Sequence, residues 1–168
     1  MTPVPLHRND GLLVSDLMTS PVLTVRSQST AHEAMEMMRQ RRIQHLIVVD
    51  GQGRVEGVVS DRDLHSAQPS AVLLPDVRAR EKALSLVRVS EIMSRYPHTM
   101  TPDMPLEMAL EKMLETKVGS VPIVDHRGLP VGIITGFDVV GLALRLLVQE
   151  GPTRSPLPEN VAVLARAR

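Results

Sequence analysis

The chain has 168 residues, with 19 Lys+Arg against 19 Asp+Glu, no Cys, no Trp, one Tyr and one Phe against ten Met. These counts exclude a disulfide framework and a thiolate metal site, and they argue against a nucleic-acid binder, which needs clustered positive charge and stacking aromatics. At 43% hydrophobic and 23% charged the composition is globular; no run reaches the ~20 apolar residues of a membrane span, and residues 1–10 lack a secretory apolar core, so no membrane partner and a cytoplasmic location are expected.

Residues 1–13 read as an arm. Val14–Met18 reads as a short helical turn and Val22–Val25 as a short extended piece. Ala31, Ala34, Met35 and Met38 fall at i, i+3, i+4 and i+7, the spacing of one helical face. Thr30 and Glu33 have the spacing of a capping box at its start. Two β-branched runs, LIVV and RVEGVVS, follow around a DGQG turn. A second helix starts near Asp61. Pro69 and Pro75 then break the chain, and Asp76–Leu86 reads as a short charged helix in a linker over 67–88.

The same order then returns. Val89–Met93 is a turn and Pro97–Met100 an extended piece. Leu106, Ala109, Leu110 and Met113 repeat the helical spacing, with Pro105 in the first turn. VPIV and LPVGIIT flank a DHRG turn, and a last helix runs from about Phe137 to Gln149. Residues 149–168, with the Pro-rich PTRSPLPEN, read as a mobile tail. Residues 14–64 align with 89–139 at a constant offset of 75, without gaps, and 12 of 51 pairs are identical. Roughly three identities would be expected for ordinary composition. The chain is therefore two copies of a unit that buries too little surface to be stable alone, and the copies are expected to pack on each other.

Two β-α-β-β-α copies spanning 14–66 and 89–148, each with an hhVVD-like run and a G-h-h-[ST]-x-x-D ending, resemble the cystathionine β-synthase (CBS) domain pair, or Bateman module. The openings SDLMTSPV and SEIMSRYP fit the same family. The stand-alone arrangement is similar to bacterial acetoin-utilisation-type CBS proteins. The resemblance implies an α/β (α+β) fold of tandem repeats around a pseudo-two-fold axis. It also implies clefts that take adenosine-containing ligands (AMP, ADP, ATP or S-adenosylmethionine), no required cofactor, and a homodimer that regulates another protein. Asp63 and Asp138 become ribose ligands, with Ser60, Arg62 and Thr135 at the phosphate or ribose. Gln44, His45 and Val58 would line a first cleft with His98 and Thr99. Gly119, Ser120 and Ile133 would line a second with Leu23 and Thr24. Gly57 and Gly132 would let the strand backbone approach the ligand.

A carboxylate can accept hydrogen bonds from both hydroxyls of a ribose, each contributing ~1.5–3 kcal/mol. The copies differ at Arg62, which could pair with a phosphate, and Phe137 in its place. That contrast assigns anionic nucleotides to the Asp63 cleft and leaves the Asp138 cleft weaker, empty or suited to a less charged adenosyl ligand. Simpler roles stand beside these. Ser60-x-x-Asp63 and Thr135-x-x-Asp138 also fit plain helix caps, and capping can coexist with ligand binding. The Met residues fit core filling, His45 and His98 fit ordinary polar positions or pH-sensing ones, and Arg39, Arg41 and Arg42 fit a solvated helix end or an anion site. The six His have no metal-ligand spacing, and there is no P-loop or G-x-S-x-G. Neither catalysis nor a metal is expected. The alternative to ligand sensing is a structural or interaction module with empty clefts.

Overall fold

The computed structural model describes residues 11–149; most of the expected arm and the expected mobile tail lie outside the described residues. The hairpins form first in logic, because an aspartate fixes each turn. Asp50 Oδ1 accepts the backbone N–H groups of Gln52 and Arg54, at 2.7 and 3.0 Å. Asp125 Oδ1 accepts those of Arg127 and Leu129, both at 2.9 Å. Gly53 and Gly128 sit at φ 80° and 78°, where other residues would be strained. These turns join β2 (His45–Val49) to β3 (Val55–Ser60), and β5 (Ser120–Val124) to β6 (Pro130–Thr135).

The backbone and side-chain hydrogen bonds around Asp50 and Asp125 hold both carboxyls below the usual aspartate range, the bond from the backbone N–H of Arg54 and of Leu129 contributing most. A carboxyl lowered in the folded state stabilises the fold above its unfolded value and loses that contribution as pH falls through the folded value. Thermal unfolding followed from pH 5 to 2 should therefore show a loss of stability that Asp50→Asn and Asp125→Asn make slightly shallower.

Helix α2 (Ala31–Arg41) starts where the sequence predicts. Thr30 Oγ1 accepts the Glu33 N–H at 3.2 Å, and Glu33 Oε2 accepts the Thr30 N–H at 2.8 Å. Its buried face is Ala31, Ala34 and Met38. Its counterpart α6 (Leu106–Thr116) buries Leu106, Ala109 and Met113. Helix α3 (Asp61–Ala67) and the longer α7 (Gly136–Gln149) follow the hairpins.

Short strand β1 (Thr24–Arg26) runs parallel to β2. The second copy has one bridge in its place, Met100 to Ile123, rather than the expected extended piece over Pro97–Met100. The reason is two missing donors: Pro122, in the place of Ile47, has no N–H at one end of the ladder, and Pro102 has none at the other. Ser27 donates its N–H to the Val49 carbonyl at 3.3 Å and extends the first ladder. Pro102 is the residue 75 positions on from Ser27.

The copies exchange their opening segments. Helix α1 (Val14–Leu17) of the first copy packs Val14 and Leu17 with Met100, Leu106, Ala109, Val121, Ile123 and Ile134 of the second. Helix α5 (Val89–Ile92) of the second copy packs Val89 with Leu46, Val48, Val59 and Leu64 of the first. Backbone pairing follows suit. Strand β4 (Ser94–Arg95) adds to β3, giving the sheet order β1-β2-β3-β4. Thr19 pairs with Ile133 in the second copy, the image of Ser94 on Val58. Ile47, Val49 and Ile133 form a third cluster that joins the hairpins. Helix α4 (Val77–Leu84), capped by Asp76, brings Leu84 fully into the first core.

Gly57 and Gly132 serve this exchange. A Cβ at Gly57 would sit 2.7 Å from Met93 Sδ and 2.9 Å from the Ser94 carbonyl oxygen. At Gly132 it would sit 2.6 Å from Met18 Sδ and 3.3 Å from the Thr19 carbonyl oxygen. The space above each glycine is filled by the other copy's opening segment. The sequence expectation that these glycines admit a ligand is thus replaced by one of admitting a strand. Gly57→Ala must displace backbone and is expected to cost about 1–3 kcal/mol. Gly132→Ala meets mainly the flexible Met18 and should cost less. Denaturant titration of both variants checks the order.

Candidate functional site

The two aspartates close their helix starts in the same way. Asp63 Oδ2 accepts the Ser60 N–H at 2.8 Å and the Ser60 hydroxyl at 2.7 Å. Asp138 Oδ2 accepts the Thr135 N–H at 2.7 Å and the Thr135 hydroxyl at 2.6 Å. Each hydroxyl in turn accepts the aspartate N–H, at 3.3 and 3.4 Å. The capping role is therefore real in both copies, and in both it uses one carboxylate oxygen. Asp138 Oδ1 accepts the Thr19 hydroxyl at 3.1 Å, from the exchanged segment. Asp63 Oδ1 takes no hydrogen bond among the described residues. The carboxylates are fixed and half-buried, with acceptor capacity aimed away from the cap.

A cavity of about 370 Å³ opens beside Asp138, between the copies. The first copy supplies Thr19, Pro21, Val22 and Leu23 from its opening, and Arg42, Ile43, Gln44 and His45 from the end of α2 and start of β2. The second copy supplies Ile133, Thr135, Phe137 and Asp138. The volume lies within the roughly 300–1,000 Å³ of small-molecule sites. Mostly apolar walls with a few convergent polar groups suit a flat heterocycle carrying a polar arm.

The sequence expectations divide here. Leu23, Ile133, Thr135 and Asp138 line one cavity. Gln44 and His45, expected with Val58 beside Asp63, also line the Asp138 cavity; Gln44 borders a recess with Asp61 as well, and His45 pairs with Ser60 in the β2–β3 register. These two residues stand at the junction of α2 and β2, between the two clefts. Thr24 faces a recess against α2 with His32, Glu33 and Glu36. Thr99 faces another, with Asp50, Arg54 and Tyr96. Neither threonine shares a cavity with an aspartate of the pair. Leu23 borders both the Asp138 cavity and the recess against α2, whereas Thr24 borders the recess alone. Thr19, Pro21, Val22 and Ile43 were not anticipated; the signal for the first three lay in the opening motif, and Ile43 sits between α2 and β2.

Gly119 and Ser120, expected in the cavity, form its inner neighbour. A Cβ at Gly119 would sit 3.1 Å from His45 Nε2, and Ser120 is buried opposite Thr135 in the β5–β6 register. Val58 is buried opposite Ile47. Arg62 is exposed at the start of α3, and His98 is exposed at the position 75 residues after cavity-lining Leu23. Burial holds the His45 imidazole below its ordinary value of 6.5, against the opposing charges of Asp61 and Asp63. The unfolded chain therefore takes up this proton first as pH falls. Stability should decline from about pH 6.5 downward until the folded value is passed, and His45→Gln should flatten that slope. Urea titrations at pH 7.5 and 5.5 check the sign.

Known proteins place this arrangement. A CBS domain-containing protein of Dictyostelium discoideum is 32% identical over 136 residues, 81% of this chain and 94% of that protein. The homoserine O-acetyltransferase of Methanohalobium evestigatum is 27% identical over 126 residues, but this chain spans only 23% of its length. The CBS domain pair of protein MJ0100, solved with 5′-methylthioadenosine and S-adenosyl-L-methionine, superposes with a TM-score of 0.67 at 26% identity, over 82% of this chain and 99% of that one. CBSX2 of Arabidopsis thaliana, solved in complex with AMP, gives 0.63 at 29% identity, over 81% and 98%. AcuB of Vibrio cholerae gives 0.66 at 29% identity, over 86% and 99%. The CBS domain family model matches twice, over residues 14–70 and 89–145, and the chain belongs to that family as a tandem pair of CBS repeats.

Proposed function

We propose that the protein is a regulatory module that binds an adenosine-containing ligand between its repeats, rather than an enzyme. The observation that carries this is the cavity beside Asp138, whose carboxylate is held by its own cap with one oxygen turned away from it. A ribose would place its hydroxyls on Asp138 Oδ1, displacing the Thr19 hydroxyl. Adenine would lie among Leu23, Ile133 and the apolar part of the β2 edge, with Gln44 available to its polar rim. Asp63, with Ser60 and Arg62, would form the second site, and its Oδ1 is open for the purpose. AMP, ADP, ATP and S-adenosylmethionine are the ligands this chemistry accepts, and relatives of similar fold were solved with AMP and with S-adenosylmethionine. Ligand bridging of the repeats would bias one relative orientation, and a regulated protein would read that bias.

Helix α7 supports a homodimer as the working form. Phe137, Val140, Leu144 and Leu147 recur along one side and are all exposed, an apolar stripe that a second copy could cover. Mass spectrometry of small molecules released from the purified protein, with sedimentation equilibrium for its state, tests both parts. An adenosyl compound and a dimer are expected; a monomer would remove the dimer, and only a non-adenosyl compound would remove the ligand class. A second reading is favoured by one fact. Both Asp138 oxygens are already satisfied by protein hydroxyls and an N–H, as an interaction module with empty clefts would have them.

A further inference from the structure

Arg42 ends helix α2 in the left-handed conformation, at φ 54° and ψ 44°. That position ordinarily falls to Gly or Asn, because a Cβ crowds the backbone there. The second repeat makes the same choice with Lys117, at φ 55° and ψ 35°. Both copies thus hold a long cation where glycine would end the helix with less strain, and strain of this kind collects at functional positions. Arg39, one turn earlier, is paired with Glu36 at 2.7 Å. Arg42 makes no ion pair among the described residues, and it stands between the Asp138 cavity and a shallower recess beside Asp61, bordering both.

The charges around that cavity are few. Asp138 accepts hydroxyl protons and repels an anion. His45 is kept from its charged form by burial. Arg42 is the remaining charged side chain of the lining, and its planar guanidinium can pair with a phosphate through two parallel hydrogen bonds. Resting on the adenosyl reading above, we infer that Arg42 is the specificity residue of the Asp138 cavity: its guanidinium pairs with the phosphate of a nucleotide and makes this cavity choose a phosphorylated adenosine over an uncharged one. This gives the cavity an anion preference that the Arg62–Phe137 contrast alone assigns to the other cleft.

The test is titration calorimetry on the full chain in an Asp63→Ala background, so that binding reports the Asp138 cavity. AMP and 5′-methylthioadenosine are the probes, with thermal unfolding as the folding control. Arg42→Asn is expected to weaken AMP at least tenfold, leave 5′-methylthioadenosine within twofold, and leave the melting temperature equal or higher, since Asn tolerates the left-handed backbone. Arg42→Lys should keep most of the AMP affinity, and the AMP advantage should shrink with added salt. Equal effects on both probes, or no effect on either, would overturn the inference while leaving the adenosyl reading intact. Binding of neither probe before Arg42 is changed would remove both.

Discussion

Asp138→Ala is expected to weaken AMP binding by roughly ten- to a hundredfold. The change removes charge-assisted hydrogen bonds worth ~1.5–3 kcal/mol, and each 1.4 kcal/mol is a factor of ten. Alanine also removes the cap on α7, since Asp138 Oδ2 accepts both the N–H and the hydroxyl of Thr135. Asp138→Asn separates the two roles. Its amide oxygen can still accept the Thr135 hydrogen bonds, but the carboxylate charge is gone. Affinity that falls in Asp138→Asn while the melting temperature holds identifies ligand binding. A lower melting temperature in Asp138→Ala with unchanged affinity in both variants identifies a cap and nothing more. Calorimetric titration and thermal unfolding of the same samples give both numbers.

Leu84→Ala is expected to be among the most costly single truncations outside the hairpins, at about 2–5 kcal/mol. Leu84 lies between the repeats in sequence, yet it is fully buried in the first core with Ala31, Ala34, Leu46 and Leu64. Leu86, two residues on, is 81% exposed, and Leu86→Ala should change stability by no more than about 0.5 kcal/mol. Urea unfolding of the pair distinguishes a docked connecting helix from a passive tether. Equal small effects would place Leu84 outside the core.

Local patterns carried most of the architecture. The 3.6-residue periodicity marked α2 and α6, the Thr30–Glu33 pair marked a helix start, and the aspartate turns marked both hairpins. All of these depend on neighbours within a few residues, where sequence patterns act. The offset of 75 carried the tandem repeat and singled out Asp63 and Asp138. The exchange of α1 and α5 was not legible, because a short apolar turn fits either copy's core equally well. VSDLM and VSEIM are near-identical, so nothing in the residues says which core each enters. That one ambiguity hid the packing of each opening helix on the opposite repeat. It also turned Gly57 and Gly132 from ligand contacts into strand contacts. Arg42 was visible only as part of a basic run, since its left-handed backbone and its place on the cavity wall are three-dimensional facts.

Equilibrium dialysis of the ligand-stripped protein against radiolabelled AMP and S-adenosylmethionine tests the central claim most directly. Saturable binding of at least one of them, displaced by unlabelled compound and weakened together by Asp63→Ala and Asp138→Ala, is the expected result. Retention of neither label above the level of a protein without such clefts, with the fold intact by circular dichroism, would contradict it.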